Sequence, residues 1–176
     1  MIGALIIGCE IAFWIFVLAG LSARYILGWK KTGAVLLVCT PIVDLLLILA
    51  TVIDLKNGAQ AEFMHGLAAV YIGVTVAFGH RMIKWADERF AHKFAGGQKP
   101  APKPRHGEAH ARMERQGWYR HLLAWVIGSA LLGVMIMVVG DQERTKDLGL
   151  MVLRWAAILG IDFIISFSYT LWPKKA

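Results

Sequence analysis

Leu36 to Asp54, LLVCTPIVDLLLILATVID, is long and apolar enough to cross a bilayer, yet it carries Asp44 at its middle and Pro41 one turn earlier. About 20 apolar residues span the hydrocarbon layer, and a carboxylate at its centre costs roughly 2.5 to 3.5 kcal/mol on insertion scales. Asp44 therefore needs a partner, a proton or a function. Glu10, Arg154 and Asp162 also fall well inside apolar runs, so the run around Asp44 is read together with its neighbours.

Of the 176 residues, 57% are hydrophobic, mean hydropathy is +0.56 and seven are Trp. A soluble domain of this size would not carry repeated apolar runs of membrane length. Five runs are read as spans, near residues 2–27, 33–53, 63–84, 118–140 and 148–172. The fold class is an all-α, polytopic transmembrane helical bundle forming a single membrane domain over residues 1–176. Cys9 and Cys39 sit in different runs without C-x-x-C or zinc spacing, so both read as small apolar packing residues.

Charge sets the expected orientation. Of the 19 Lys and Arg, fifteen border one side, three (Lys56, Arg144, Lys146) the other, and Arg154 lies within a span. Basic residues favour the cytoplasmic side, which predicts the N-terminus outside and the C-terminus in the cytoplasm. The first run lacks the basic start of a signal peptide and reads as a retained helix. The net charge of +7 then reflects topology and attraction to anionic lipid, and no nucleic-acid partner is implied.

Between the third and fourth spans lies a basic cytoplasmic loop, residues 85–117, broken by the flexible linker GGQKPAPKP at 96–104. Its first part is the amphipathic continuation of the third helix. Arg81, Lys84, Trp85, Arg89 and Lys93 are its candidate lipid-headgroup contacts. Ser129 and Gly133, four apart in the fourth span, are suited to close helix contact.

Thr40, Asp44, Leu47 and Thr51 follow helical spacing and form one partly polar stripe, while Arg154, Asp162, Ser166 and Tyr169 share an arc of the fifth span. Glu10, Asp44 and Asp162 with Arg154 are the candidate ion- or substrate-binding residues, expected to converge on one cavity between helices 1, 2 and 5. Three acids against one base leave room for a shared proton or a bound cation. The plainer reading is interhelical hydrogen bonding that only holds the helices together.

The histidines carry weaker patterns. His80 and His121 could face each other near the inner side, but the second histidine pair of a two-haem arrangement is absent, so interface-level histidines are the preferred reading. His106 and His110, four apart, have chelating spacing but flank a proline-rich linker and do not form H-E-x-x-H, so no metal is assigned. No phosphate loop, nucleophile elbow or Cys-His pair is visible, which argues against most enzyme classes. No cofactor is implied.

The segments GCEIAFWIFVLAGLSARY, TPIVDLLLILATVIDLKNG and HGLAAVYIGVTVAFGHRMIKWAD resemble a group of small, uncharacterised integral membrane proteins of Gram-positive bacteria, the YmcC-like group. The resemblance implies a multi-pass protein of the bacterial cytoplasmic membrane and brings no assigned reaction. Two function classes follow from the residues. One is a small proton- or cation-coupled transporter or binding protein. The other is a membrane scaffold or partner subunit, with a homodimer or a second membrane protein as its partner.

Overall fold

A computed structural model describes residues 2–94, 97–102, 104 and 106–172, with the side chains of residues 2–6, Glu10 and Phe94 outside the description. Gly96 and Lys103 of the linker, and Lys174 and Lys175 of the tail, also lie outside the described residues. The described chain is all-helical: α1 (Ile2–Tyr25), α2 (Lys30–Lys56), α3 (Phe63–Phe94), α4 (Gly107–Val139) and α5 (Lys146–Leu171). All five are long and apolar enough to cross a membrane. Consecutive helices run antiparallel, so Arg24, Lys30, Lys31 and the α3–α4 connection share one end, called here the basic end.

α1 packs on α2 along its length, and α3 and α5 flank α4. Two glycine crossings set these distances. A Cβ on Gly33 of α2 would stand 2.7 Å from the carbonyl oxygen of Gly20 on α1. A Cβ on Gly73 of α3 would stand 3.1 Å from the backbone nitrogen of Gly128 on α4 and would collide with the Ala124 carbonyl oxygen. In lipid, where apolar side chains gain little by leaving one apolar phase for another, such close backbone approach is a main source of helix association. The expected Ser129–Gly133 contact does not form. Gly133 faces open space, and the face of α4 turned inward is the one bearing Gly128, Leu132 and Met135.

Pro41 sits inside α2 without ending it. A proline cannot donate to the carbonyl four residues back, which leaves that of Leu37 without its helical partner. The Thr40 hydroxyl donates to that oxygen at 2.8 Å, which satisfies it within the helix, as a membrane interior requires. At the end opposite the basic one, Arg144 donates to the carbonyl oxygens of Leu55 and Lys56 at 3.3 and 3.4 Å, covering the open C-terminus of α2. The Ala61 N–H donates to the Arg144 carbonyl at 2.8 Å, tying the two loops over a core of Leu55, Ala69, Leu132, Met135, Leu148 and Met151.

Within residues 85–117 the described chain is helical on both sides of the linker. α3 continues unbroken to Phe94 and α4 begins at Gly107, so only the segment between them lacks regular structure among the described residues. The 32 residues of α3 extend about 48 Å at 1.5 Å per residue, against about 30 Å of hydrocarbon. Its last turns therefore project from the span. Arg24 at the end of α1 holds them with a two-pronged ion pair to Asp87, Nε donating to Oδ1 at 3.0 Å and Nη2 to Oδ2. The Tyr25 ring packs on Phe90 alongside.

Candidate functional site

Thr40, Asp44, Leu47 and Thr51 are all buried, as their helical stripe requires. Asp44 is 1% exposed, and neither of its carboxyl oxygens has a hydrogen-bond partner among the described residues. It borders a cavity of about 50 Å³ walled by Phe13 and Trp14 of α1, Leu47 of α2, and Met64, Leu67 and Tyr71 of α3. Phe13 and Tyr71 are stacked, with centroids 5.0 Å apart and planes 8° from parallel, and Trp14 meets Phe13 edge-on at 5.5 Å. Among the described residues of the wall, Asp44, Tyr71 and Trp14 carry polar groups and the rest are apolar.

The geometry has a topological origin. α2 packs against both α1 and α3, and α1 and α3 meet through side chains, Phe13 on Tyr71, Tyr25 on Phe90 and Arg24 with Asp87, so the inward face of α2 lies at the base of a cleft between them. Trp14 is 56% and Met64 is 43% exposed at the rim of that cleft. Nothing in a helical pattern tells which neighbouring helix an aromatic ring will meet.

Asp162 is not brought to Asp44. It lies between α4 and α5, where one carboxyl oxygen is 2.6 Å from Nδ1 of His121 and the other accepts from Ser166 at 3.4 Å. Phe78 of α3 packs on the His121 ring. The single cavity expected between helices 1, 2 and 5 is thus replaced by two polar places, because α4 and α3, rather than α5, cover the inner side of α2. Arg154 is exposed on α5 and Glu10 lies on α1 with its side chain outside the described residues.

The remaining candidates take separate places. His80 is exposed, while Nδ1 of His121 is engaged by Asp162. His65, in the first turn of α3, accepts from the Glu62 backbone N–H at 2.9 Å and so caps the helix. His110 has Nδ1 3.2 Å from the Pro104 carbonyl oxygen and its ring against Tyr169, and His106 stands exposed at the N-cap of α4. Arg81, Lys84, Trp85, Arg89 and Lys93 are exposed along α3, with the Arg89 guanidinium 4.5 Å from the Trp85 ring centroid.

The chain is 44% identical over 171 residues to "Uncharacterized membrane protein YmcC" of Bacillus subtilis (strain 168), an alignment covering 97% of this chain and 92% of that protein. It belongs to the YmcC family. Membership extends over the fourth and fifth helices as well as the first three, so the Asp44 cleft and the His121–Asp162 pair both lie within the shared length. No family model matches the chain, and no solved structure matches it. For this YmcC-family protein the residues themselves must therefore carry the reading of function.

Proposed function

We propose that this integral membrane protein is a small proton- or cation-coupled binding or transport protein of the bacterial cytoplasmic membrane, with Asp44 as the group that carries the ion. One observation carries the reading: a carboxyl 1% exposed, with no partner at either oxygen among the described residues, beside a cavity. An ionised carboxylate left unpaired in such surroundings costs several kcal/mol, so the group holds a proton or lies against a cation. Exchange between those two occupants is the elementary step of ion coupling. Carbodiimides modify protonated carboxyls in apolar surroundings and test it directly. In proteoliposomes, dicyclohexylcarbodiimide should label Asp44, more slowly as pH rises or a competing monovalent cation is added, and Asp44→Asn should abolish the label while folding is kept. Labelling at Asp44 that ignores both pH and every monovalent cation would sink the proposal.

The basic end is assigned to the cytoplasm, supported by fifteen of 19 Lys and Arg on that side. The exposed Arg81, Lys84, Trp85, Arg89 and Lys93 then face anionic headgroups, each basic residue near the surface contributing about 1 kcal/mol. In a background with Cys9 and Cys39 replaced, a cysteine at Gln98 should be labelled only from inside cells and one at Asn57 from outside. A fluorophore at Lys84 should be quenched more by headgroup-labelled phosphatidylglycerol than by phosphatidylcholine. The opposite labelling pattern overturns the orientation, and equal quenching overturns the headgroup contact.

A second reading, a scaffold or partner subunit, draws on Arg154. This cation lies within α5 and is exposed beside Leu153 and Ile158, where a charge calls for a partner or for a reach to the interface. Asp44→Asn separates the two readings, since a scaffold would change only in stability or assembly.

A further inference from the structure

We propose that the Asp44 cleft takes a lipophilic primary ammonium ion, the charged head against Asp44 and the alkyl chain leaving between α1 and α3 into the bilayer. The inference rests on Asp44 being an ion-carrying group and adds which cation it accepts and by what route.

Size comes first. One water needs on the order of 10 to 15 Å³ of such volume, so about 50 Å³ accommodates roughly three or four, or an ammonium with its first methylene. A primary ammonium also brings N–H donors to the Asp44 oxygens, which have no partner among the described residues, and a quaternary ammonium has none to bring.

The chemistry of the wall comes second. A bare metal cation needs a shell of oxygen ligands, about six for the hard divalent ions. Among the described residues the wall offers one carboxylate and one phenol, beside Phe13, Trp14, Leu47, Met64 and Leu67. An ammonium needs fewer oxygens, because aromatic faces also attract it. Phe13, Trp14 and Tyr71 supply three such rings around one negative charge.

The route comes third. The residues at the cleft's rim, Trp14 and Met64, are exposed on spans whose outer surfaces otherwise carry Ile11, Ile15 and Leu18 on α1 and Phe63 on α3. That surface meets acyl chains, so a ligand arriving through it must already be dissolved in the bilayer. An alkyl chain trailing through the cleft stays in the phase it came from, while the head exchanges the interface for Asp44.

The test uses the full chain in phosphatidylcholine nanodiscs and radiolabelled n-dodecylammonium, read by scintillation proximity. Wild type should bind it saturably, and Asp44→Asn should weaken binding at least tenfold. Leu67→Trp, which fills the cavity and keeps the carboxyl, should weaken it comparably and covers the case in which Asp44→Asn does not fold. Dodecyltrimethylammonium should compete at least tenfold less well, and methylammonium and 1-dodecanol should not compete. Saturable binding indifferent to both substitutions, equal competition by 1-dodecanol, or no saturable binding at all overturns the inference. Its failure is distinguishable from that of the parent reading: carbodiimide labelling that stays sensitive to pH or monovalent cations, without dodecylammonium binding, leaves Asp44 as an ion site with a different cation.

Discussion

Asp44→Leu should raise the stability of the folded protein by about 1 to 3 kcal/mol while abolishing carbodiimide labelling and cation sensitivity altogether. A buried polar group without a hydrogen bond costs about that much, and both Asp44 oxygens are in that state among the described residues. Replacing an unpartnered buried charge by an apolar side chain of similar volume is neutral or favourable. The two methyls that replace the carboxyl oxygens have room for their larger radius, because the cavity lies directly beside Asp44 and is walled by Phe13, Leu47 and Leu67. Function and stability then move in opposite directions, the mark of a site kept for what it does. Asp44→Asn keeps the polar burden and should gain little. Unfolding in mixed micelles with increasing dodecyl sulfate gives the measurement. A leucine variant that is less stable, or that loses only assembly, would mean that Asp44 holds helices together and would favour the scaffold.

Gly73→Ala should lower stability by about 1 to 3 kcal/mol, although alanine is the better helix former. The new methyl would collide with the Ala124 carbonyl oxygen and stand 3.1 Å from the Gly128 nitrogen. Both obstacles are backbone, so relief requires α3 and α4 to separate, and overpacking of this kind typically costs that range. Separation also moves Leu67 and Tyr71, so ligand binding in the cleft should weaken with stability. Gly133→Ala is the control. Nothing lies within 4 Å of its Cβ position, and it should be neutral or gain up to about 1 kcal/mol from helix propensity. Equal effects at the two positions would mean that the α3–α4 crossing does not pass through Gly73.

The helices were legible in the sequence because bilayer thickness is a one-dimensional constraint. A run of about 20 apolar residues announces a span without reference to any other part of the chain. The same held for the Asp44 stripe. The spacing of Thr40, Asp44, Leu47 and Thr51 put them on one face, and burial of that face follows from the cost of showing a carboxyl to lipid. Pro41 likewise demanded a local donor, and Thr40 is its neighbour.

Which helices meet was a different matter. Because all lie well inside apolar runs, Glu10, Asp44 and Asp162 are expected to converge on one cavity, but position along a span fixes only one coordinate. Lateral order depends on where backbones can approach, and that is decided by pairs such as Gly73 with Gly128 and Gly20 with Gly33, each of which looks in sequence like any other small residue. Those crossings fix α1 on α2 and α3 on α4, and the packed helices set α3 and α4, rather than α5, on the inner side of α2. They give Asp44 a wall of Phe13, Trp14 and Tyr71 and leave Asp162 to His121. The clamp of Arg24 on Asp87, 63 residues apart, is of the same kind. Composition and spacing determined that five helices cross the membrane and that Asp44 faces inward. Only the packing of those helices, set by backbone contacts between distant glycines, decided what Asp44 faces.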